Sequence, residues 1–290
     1  MQDLRKVSAC MSLVQMKSLL QKAEAGNYGV GAFSVANMEM VMGAIRAAEE
    51  SNSPLIIQIA QGRLPFSPLH IIGPMMVAAA EKAKVPVCVH FDHGGDIDII
   101  KQALEIGFTS VMMDASHLPI DQNIEIVGKV KDLADRYSAS VEAEVGQLGV
   151  DEEGNKTKGT FYSDPLEVKK LYDCTKVDAI ALSIGNAHGL YKMEPKLNFD
   201  LLAQAKAMVD IPLVLHGGSG ISPEDFRKCI SLGIRKVNIA TANFLSIEQA
   251  ARNYSKQDKR DYFMLSSEME KGMYQNVLEH IQIFQSEGKA

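Results

Sequence analysis

The chain has 290 residues, of which 46% are hydrophobic and 23% are charged, and it contains no tryptophan. A chain of this length can bury a full core, and it fits one large α/β domain as well as two small ones. The 36 acidic residues outnumber the 30 basic ones and give a formal net charge of −6. Nucleic acids and anionic membranes are bound through positive patches, so this balance argues against general binding of either one.

The cysteines and the N-terminal sequence indicate the compartment. The four cysteines form no CxxC pair, which in a chain of this length is typical of reduced thiols in the cytoplasm; they are Cys10, Cys88, Cys174 and Cys229. No apolar run approaches the roughly 20 residues that span a bilayer, and residues 1–10 lack the apolar core of a signal peptide. We therefore expect a cytoplasmic protein without membrane segments. We also expect one domain over residues 1–290, in which residues 1–10 form a disordered extension.

Short β-branched runs alternate along the chain with segments of helical periodicity. Helices are predicted at Met16–Ala25 and Met38–Ser51, where apolar residues recur at spacings of three and four. Two later helices have start signals, a capping residue followed by proline at Asp164-Pro165 and Ser222-Pro223. Further helix is predicted in the tail at Lys259–Phe284. The eight predicted strands are Gly31–Ala36, Pro54–Ala60, Val85–Asp92, Ser110–Ser116, Ala139–Gly146, Ala179–Gly185, Pro212–Gly217 and Lys236–Ala242.

This alternation predicts an α/β fold, a closed (β/α)₈ TIM barrel with extra C-terminal helices. An open, doubly wound sheet is the competing architecture, but no GxGxxG fingerprint follows the first strand. The longest gap between strands begins with the polar, glycine-dotted segment 147–161, which we expect to be a mobile loop.

Three histidines follow the predicted strands three, six and seven, and each precedes a glycine. They are His93, His188 and His216. In a (β/α)₈ barrel the C-terminal strand ends form one mouth, where the three imidazoles would make a zinc site with an open position. Any one of these histidines alone would more often be a loop residue with satisfied hydrogen bonds, but three together, each before a glycine, favour the metal site.

Small residues after strands seven and eight indicate an anion site. The run Gly217-Gly218-Ser219-Gly220 follows strand seven, and Asn238-Ile239-Ala240-Thr241 follows strand eight. The loops in these places form the usual phosphate site of this barrel. The alternative is a glycine turn that only connects a strand to its helix.

Carboxylates are the third feature of the predicted mouth. Asp92 adjoins His93, and Glu142 and Glu144 alternate along strand five. Asp151, Glu152 and Glu153 lie on the 147–161 loop. Loop acids are usually only solvated, but an acid beside a metal site could instead be a base that arrives when substrate binds.

Taken together, these segments resemble the zinc-dependent class II ketose-bisphosphate aldolases of the fructose- and tagatose-bisphosphate type. The matching motifs follow one order across most of the chain: HFDHG at 90–94, DASHLPIDQNI at 114–124, VEAEVGQLG at 141–149, IGNAHGLY at 184–191, LVLHGGSG at 213–220 and KVNIAT at 236–241. The resemblance implies reversible cleavage of a phosphorylated ketose to dihydroxyacetone phosphate and an aldehyde.

The resemblance also implies a role for each matching residue. His93, His188 and His216 would bind Zn²⁺, with Glu144 as an alternate ligand or a neighbour of the ligands. Glu152 would be the base at the ketone half, Asp92 would exchange the proton of the aldehyde-derived oxygen, and Asn238 would contact the substrate. The phosphate would be held by Gly189, Gly217, Gly218, Ser219, Asn238, Ile239, Ala240 and Thr241. The family further implies a monovalent cation, Na⁺ or K⁺, near this phosphate, and a homodimer or homotetramer.

Departures from the family pattern concentrate on the aldehyde half of the substrate. Ser34 stands where the family usually has asparagine, Ala60 replaces a serine, and Ala242 replaces an acidic residue. The tail shows no clear match to the arginine that, in the fructose-bisphosphate enzymes of the family, binds the second phosphate of the substrate. The chemistry therefore has two alternatives, an aldolase for a deoxy-keto-sugar acid phosphate and a metal-dependent sugar-phosphate epimerase or isomerase. A non-catalytic partner with the same fold is a third hypothesis.

Overall fold

Eight parallel strands close on themselves in the computed structural model, which describes residues 12–147, 162–189, 191, 195–258 and 261–290. Neighbouring strands pair in chain order, and β8 pairs with β1. This confirms the predicted (β/α)₈ barrel. The strands are β1 Val30–Ser34, β2 Leu55–Ala60, β3 Val87–Gly94, β4 Ser110–Met113, β5 Ser140–Val145, β6 Ala179–Leu182, β7 Leu213–Leu215 and β8 Ile234–Ile239.

Helices cover the outside of the barrel, and two of them follow the last strand as predicted. One of these, α10, packs on both α2 and α9. The helices are α1 Met16–Gly26, α2 Met38–Glu50, α3 Leu69–Lys82, α4 Ile97–Ile106, α5 Ile120–Asp135, α6 Pro165–Thr175, α7 Phe199–Met208, α8 Pro223–Ser231, α9 Thr241–Ser255 and α10 Tyr262–Ile283. A 3₁₀ turn, Gln61–Arg63, follows β2. Within the described ranges, no helix is long and apolar enough to cross a membrane.

The two predicted helix starts are confirmed by their caps. The Asp164 side chain accepts a hydrogen bond from the backbone N–H of Leu166 (2.9 Å), and α6 begins at Pro165. The Ser222 hydroxyl accepts one from the N–H of Asp225 (3.1 Å), and α8 begins at the following proline. Each cap satisfies an N–H that the helix itself leaves without a partner.

Six of the predicted strands end one to three residues earlier than expected, and the ends of two of them, β4 and β8, have a clear local cause at the mouth of the barrel. Strand β4 stops at Met113 instead of Ser116, because the Asp114 carboxylate accepts hydrogen bonds from the N–H and hydroxyl of Ser116 and folds the chain into a turn. Strand β8 stops at Ile239 instead of Ala242. Helix α9 already begins at Thr241, and the Ser219 hydroxyl accepts from the N–H of Ala242.

The barrel interior is layered from an apolar floor to a polar mouth. Helix α1 closes the floor, where Met16, Leu19 and Leu20 pack in one cluster with Val30 and Val214. Above this floor the inward side chains are polar or charged although they are almost fully buried; they are Gln58, His90, Asp92, Glu142, Glu144, His216, Lys236 and Asn238. A buried charge is costly unless it is paired, so these side chains must partner each other or a bound ligand.

Three of the cysteines lie in the described part of the chain. Cys88, Cys174 and Cys229 are free thiols, as predicted. Cys10 and the predicted N-terminal extension, residues 1–10, lie outside the described residues.

Candidate metal and phosphate site

The three predicted histidines converge at the mouth of the barrel. The ring centroid of His93 lies 4.9 Å from that of His188 and 4.6 Å from that of His216. The centroids of His188 and His216 are 6.0 Å apart. One nitrogen from each ring lies within 4.8 Å of the others. Nitrogen ligands at tetrahedral zinc, with bonds of about 2.0–2.1 Å, lie roughly 3.3 Å apart. The imidazoles therefore have the spacing of a metal site.

Carboxylates orient two of these rings toward a common point. His93 Nδ1 lies 2.9 Å from Asp114 Oδ2, and His216 Nε2 lies 2.7 Å from Glu142 Oε1. In each pair the ring N–H donates to the carboxylate, which fixes the tautomer and leaves the other nitrogen with its lone pair. Those remaining nitrogens, His93 Nε2 and His216 Nδ1, face each other at 2.9 Å. Both rings are thus prepared to bind a cation between them.

The third ring and the backbone of the first have further properties of a ligand site. Burial, together with the nearby His93 and His216, lowers the pKa of His188 well below its ordinary value. A neutral imidazole is the form that binds metal ions. His93 is the second-to-last residue of β3 and does not lie in the loop after it, and its φ is 44°. A non-glycine residue in this region is strained, and such strain persists where the surroundings enforce it.

Glu144 places a buried carboxylate beside the imidazoles. Burial raises the pKa of its carboxyl well above the usual range, and the nearby Asp114 carboxylate raises it further. Its Oε2 is buried without a hydrogen-bond partner and lies 3.8 Å from His216 Nδ1. A divalent ion among the three imidazoles would satisfy this oxygen. The donor set, three imidazoles with a carboxylate in reach, fits zinc.

Asp92 lies beside the histidines and is held by two amides. Gln58 Nε2 donates to Asp92 Oδ2 (2.9 Å), and Asn238 Nδ2 donates to Asp92 Oδ1 (3.2 Å). Burial disfavours the charged form of Asp92, but the attraction of His93, the His90 ring 3.7 Å away and the charge of Lys236 outweigh it. The pKa of Asp92 is therefore well below its usual value, and the group is held as a carboxylate that can accept a proton.

The glycine run after β7 meets the start of α9, and both adjoin the histidines. Gly217 and Gly220 have φ of +63° and +105°. Ser219 reaches across to the first turn of α9 through its bond to the N–H of Ala242 (3.0 Å). The first N–H groups of a helix have no partner within it and attract anions. The predicted phosphate residues Gly217, Gly218, Ser219, Ile239, Ala240 and Thr241 thus lie together in the two neighbouring loops.

A tyrosine joins this loop to the one that carries His188. The Tyr191 hydroxyl donates to the carbonyl of Gly217 (2.9 Å) and accepts from the N–H of Ala187 (2.8 Å). Gly189 follows in the same segment with φ of +87°. The predicted base, Glu152, lies outside the described residues. The described part of the site consists of the three histidines, the loops after β7 and β8, and Asp92.

Three residues of the site carried no predicted role. Gln58 holds Asp92, Asp114 orients His93, and Lys236 lies below Asn238. Only Gln58 has a clear signal in the sequence, as the single polar residue in the otherwise apolar run PLIIQIA.

The model of the family described as class-II fructose-bisphosphate aldolase matches residues 14–289. The chain belongs to this family. It is 39% identical over 255 residues to the fructose-bisphosphate aldolase of Geobacillus stearothermophilus, covering 87% of this chain and 89% of that relative. Its identity to the fructose-bisphosphate aldolase of Staphylococcus epidermidis is 37% over the same lengths. The aldolase prediction is confirmed, and the enzyme is an aldehyde-lyase of class II.

Solved structures agree with this assignment. The crystal structure of the YdjI aldolase from Escherichia coli K12 superposes with a TM-score of 0.86 at 35% identity, covering 96% of this chain and 99% of that one. The fructose-bisphosphate aldolase of Campylobacter jejuni, at 23% identity and a TM-score of 0.80, shares the fold. Class II aldolases depend on a metal ion and act on phosphorylated sugars, in keeping with the histidine cluster of this chain.

Proposed function

We propose that this enzyme reversibly cleaves a phosphorylated ketose, of the fructose- or tagatose-1,6-bisphosphate type, to dihydroxyacetone phosphate and an aldehyde, with Zn²⁺ as its ion. The observation that carries the proposal is the convergence of His93, His188 and His216 beside the glycine loop after β7. This arrangement provides a cation site and an anion site next to each other. Dihydroxyacetone phosphate offers a ketone oxygen to the first and a phosphate to the second.

Each group has a part in this chemistry. When bound, the ion acts as a Lewis acid that polarises the ketone. In the cleavage direction the Asp92 carboxylate accepts the proton of the hydroxyl that becomes the aldehyde, and its lowered pKa keeps it in the deprotonated form that this step requires. Glu152 moves the proton at the carbon next to the ketone. Asn238 orients the substrate, and the loops after β7 and β8 hold its phosphate, with Na⁺ or K⁺ nearby.

The identity of the aldehyde depends on the residues that depart from the family pattern. Ala60 ends β2 beside Asp92 in the strand register, and the Ser34 hydroxyl lies 3.3 Å from Gln58 Nε2. Both positions border the side of Asp92 where the aldehyde half would lie. A deoxy-keto-sugar acid phosphate remains the alternative substrate. A single domain, a homodimer or homotetramer and a cytoplasmic location also remain predictions.

Solvent deuterium exchange into dihydroxyacetone phosphate, followed by NMR, tests this function without an assumption about the aldehyde. We expect zinc-loaded enzyme to exchange the substrate proton, and a chelator to reduce the rate by at least about 100-fold, since Lewis-acid stabilisation is worth several kcal/mol. Re-addition of zinc should restore it. Absence of exchange by fully loaded enzyme would refute the ketone-half assignment.

Two variants should separate the half-reactions. We expect Glu152→Gln to bind substrate but to slow exchange by about 10²- to 10⁴-fold, the usual contribution of a general base. Asp92→Ala should retain exchange within about threefold while cleavage falls by about 10²-fold or more, because Asp92 acts only on the aldehyde side. Parallel assays of exchange and of aldehyde release measure both. A Glu152→Gln enzyme with parental exchange, or an Asp92→Ala enzyme with parental cleavage, would contradict the respective assignment.

A further inference from the structure

A fully buried lysine lies in the barrel interior below the candidate metal site, and none of the roles above uses it. Lys236 is on β8 and is 0% exposed. Its Nζ lies 2.8 Å from Glu142 Oε2 and 2.7 Å from Asn238 Oδ1. An ammonium group out of contact with water must be paired and hydrogen-bonded, so these two contacts determine what Lys236 does.

The first contact connects Lys236 to a histidine of the metal site. Glu142 bridges the two, with Oε2 toward the ammonium group and Oε1 2.7 Å from His216 Nε2. Paired with the ammonium group through Oε2, the glutamate accepts the His216 N–H at Oε1. A second metal ion at the His90, Asp92 and Glu142 cluster is disfavoured, because the ammonium group already supplies the positive charge there.

The second contact fixes the amide of Asn238. An ammonium group has three donors and no acceptor, so it binds the Oδ1 end of the amide. The Nδ2 end is then directed upward, where it donates to Asp92 Oδ1 at 3.2 Å. A flipped amide would set donor against donor at Lys236 and acceptor against carboxylate at Asp92. The orientation of Asn238 follows from the chemistry of Lys236.

We propose that Lys236 is a positioning residue that holds the Asn238 amide with its N–H₂ toward Asp92 and the substrate. This inference rests on the proposed function for its effect on turnover. Lys236 itself touches neither the ion site nor the mouth, and acts through Asn238. The competing role is purely structural, in which Lys236 only balances the buried charge of Glu142.

A pair of variants separates positioning from charge balance. Glu142→Gln removes the charge, keeps an oxygen that can accept from His216, and turns its N–H₂ toward the Lys236 ammonium group, whose contact with Asn238 Oδ1 is not itself substituted. The double variant Lys236→Met/Glu142→Gln differs from it only at Lys236, and methionine has nearly the same length and shape. No unpaired charge remains in the double variant, so it avoids the folding failure that Lys236→Met alone risks.

We expect the double variant to melt at the same temperature as Glu142→Gln or higher, because Glu142→Gln leaves the buried ammonium group without its carboxylate. The two variants should have equal zinc affinity, measured against a chromophoric chelator. Its kcat for cleavage should be about 10- to 100-fold lower, the usual cost of a catalytic group displaced by about 1 Å. KM should change less, since the phosphate loops are untouched. Equal kcat in the two variants would overturn the proposal and leave Lys236 as a counter-charge.

A second measurement does not depend on activity. The side-chain N–H₂ signals of Asn238, assigned by their loss in Asn238→Ala, can be followed by ¹H–¹⁵N NMR in the metal-free proteins. We expect them to shift and broaden in the double variant relative to Glu142→Gln, because the amide is no longer held in one orientation. Unchanged signals would refute positioning. If the parent enzyme fails to exchange dihydroxyacetone phosphate, the proposed function fails, while these signals still decide the role of Lys236.

Discussion

His93→Ala should abolish both metal binding and aldolase activity. One of three imidazoles is lost, and Nε2 of this ring faces His216 Nδ1 at 2.9 Å, the place where an ion would be held. Loss of a residue that merely supports a ligand costs about 10- to 100-fold in affinity, so loss of a ligand should cost more. Metal analysis after dialysis and the exchange assay measure the two effects. Full zinc content in the variant would remove His93 from the site.

Two further variants make this result specific. Asp114→Asn keeps an acceptor for the His93 N–H but removes its charge, so we expect weaker zinc binding, by about 10- to 100-fold at most, and activity that excess zinc restores. His93→Gly removes the ring and also relieves the positive φ of 44°. If it matches His93→Ala in metal content and activity, the loss comes from the imidazole. A zinc-loaded glycine variant would instead attribute the alanine defect to the backbone.

The architecture and the histidine cluster follow from the sequence because they depend on local patterns joined by one topological rule. Alternating strands and helices predict the barrel, and the barrel brings all C-terminal strand ends to one mouth. His93, His188 and His216 are far apart in the chain, yet this rule alone predicts that they meet. The structure brings their rings to within 6.0 Å of each other.

The supporting residues could not be predicted in the same way. In a parallel barrel both faces of a strand are buried, so the residue pattern does not show which side chains point inward. Lys236 in KVNIATA fits either face, and so does Gln58 in PLIIQIA. The contacts between β8 and β5, or between β2 and β3, depend on strand stagger, which spacing along one strand does not encode. Lys236 and Glu142 therefore become partners only in three dimensions.

The strand ends show a second limit of periodicity. Ser110–Ser116 has the apolar pattern of a longer strand, but the Asp114 side chain competes for the backbone N–H of Ser116 and ends β4. The same carboxylate holds His93. A functional side chain thus overrides the local preference at the point where the site is built.

Gly217→Ala should strongly weaken binding of the substrate phosphate. Gly217 has φ of +63°, and a Cβ there would lie 2.2 Å from the carbonyl oxygen of Ala187. Either the loop after β7 or the segment before His188 must move, and Tyr191 ties the two together. We expect KM for the ketose, and the inhibition constant of inorganic phosphate, to rise by about tenfold or more, since strain of this kind costs about 1–3 kcal/mol before the clash is counted.

Gly128→Ala is the matched control for this substitution. Gly128 lies inside α5, and a Cβ built there meets nothing within 4 Å. Alanine in the middle of a helix should stabilise the protein by about 1 kcal/mol and leave both constants unchanged. If Gly217→Ala kept parental KM and phosphate inhibition while its melting temperature fell, the glycine would serve only the fold. A rise in both constants at saturating zinc would instead assign the β7 loop to the phosphate, because the exchange of one hydrogen for a methyl group removes no charge and no hydrogen-bonding group.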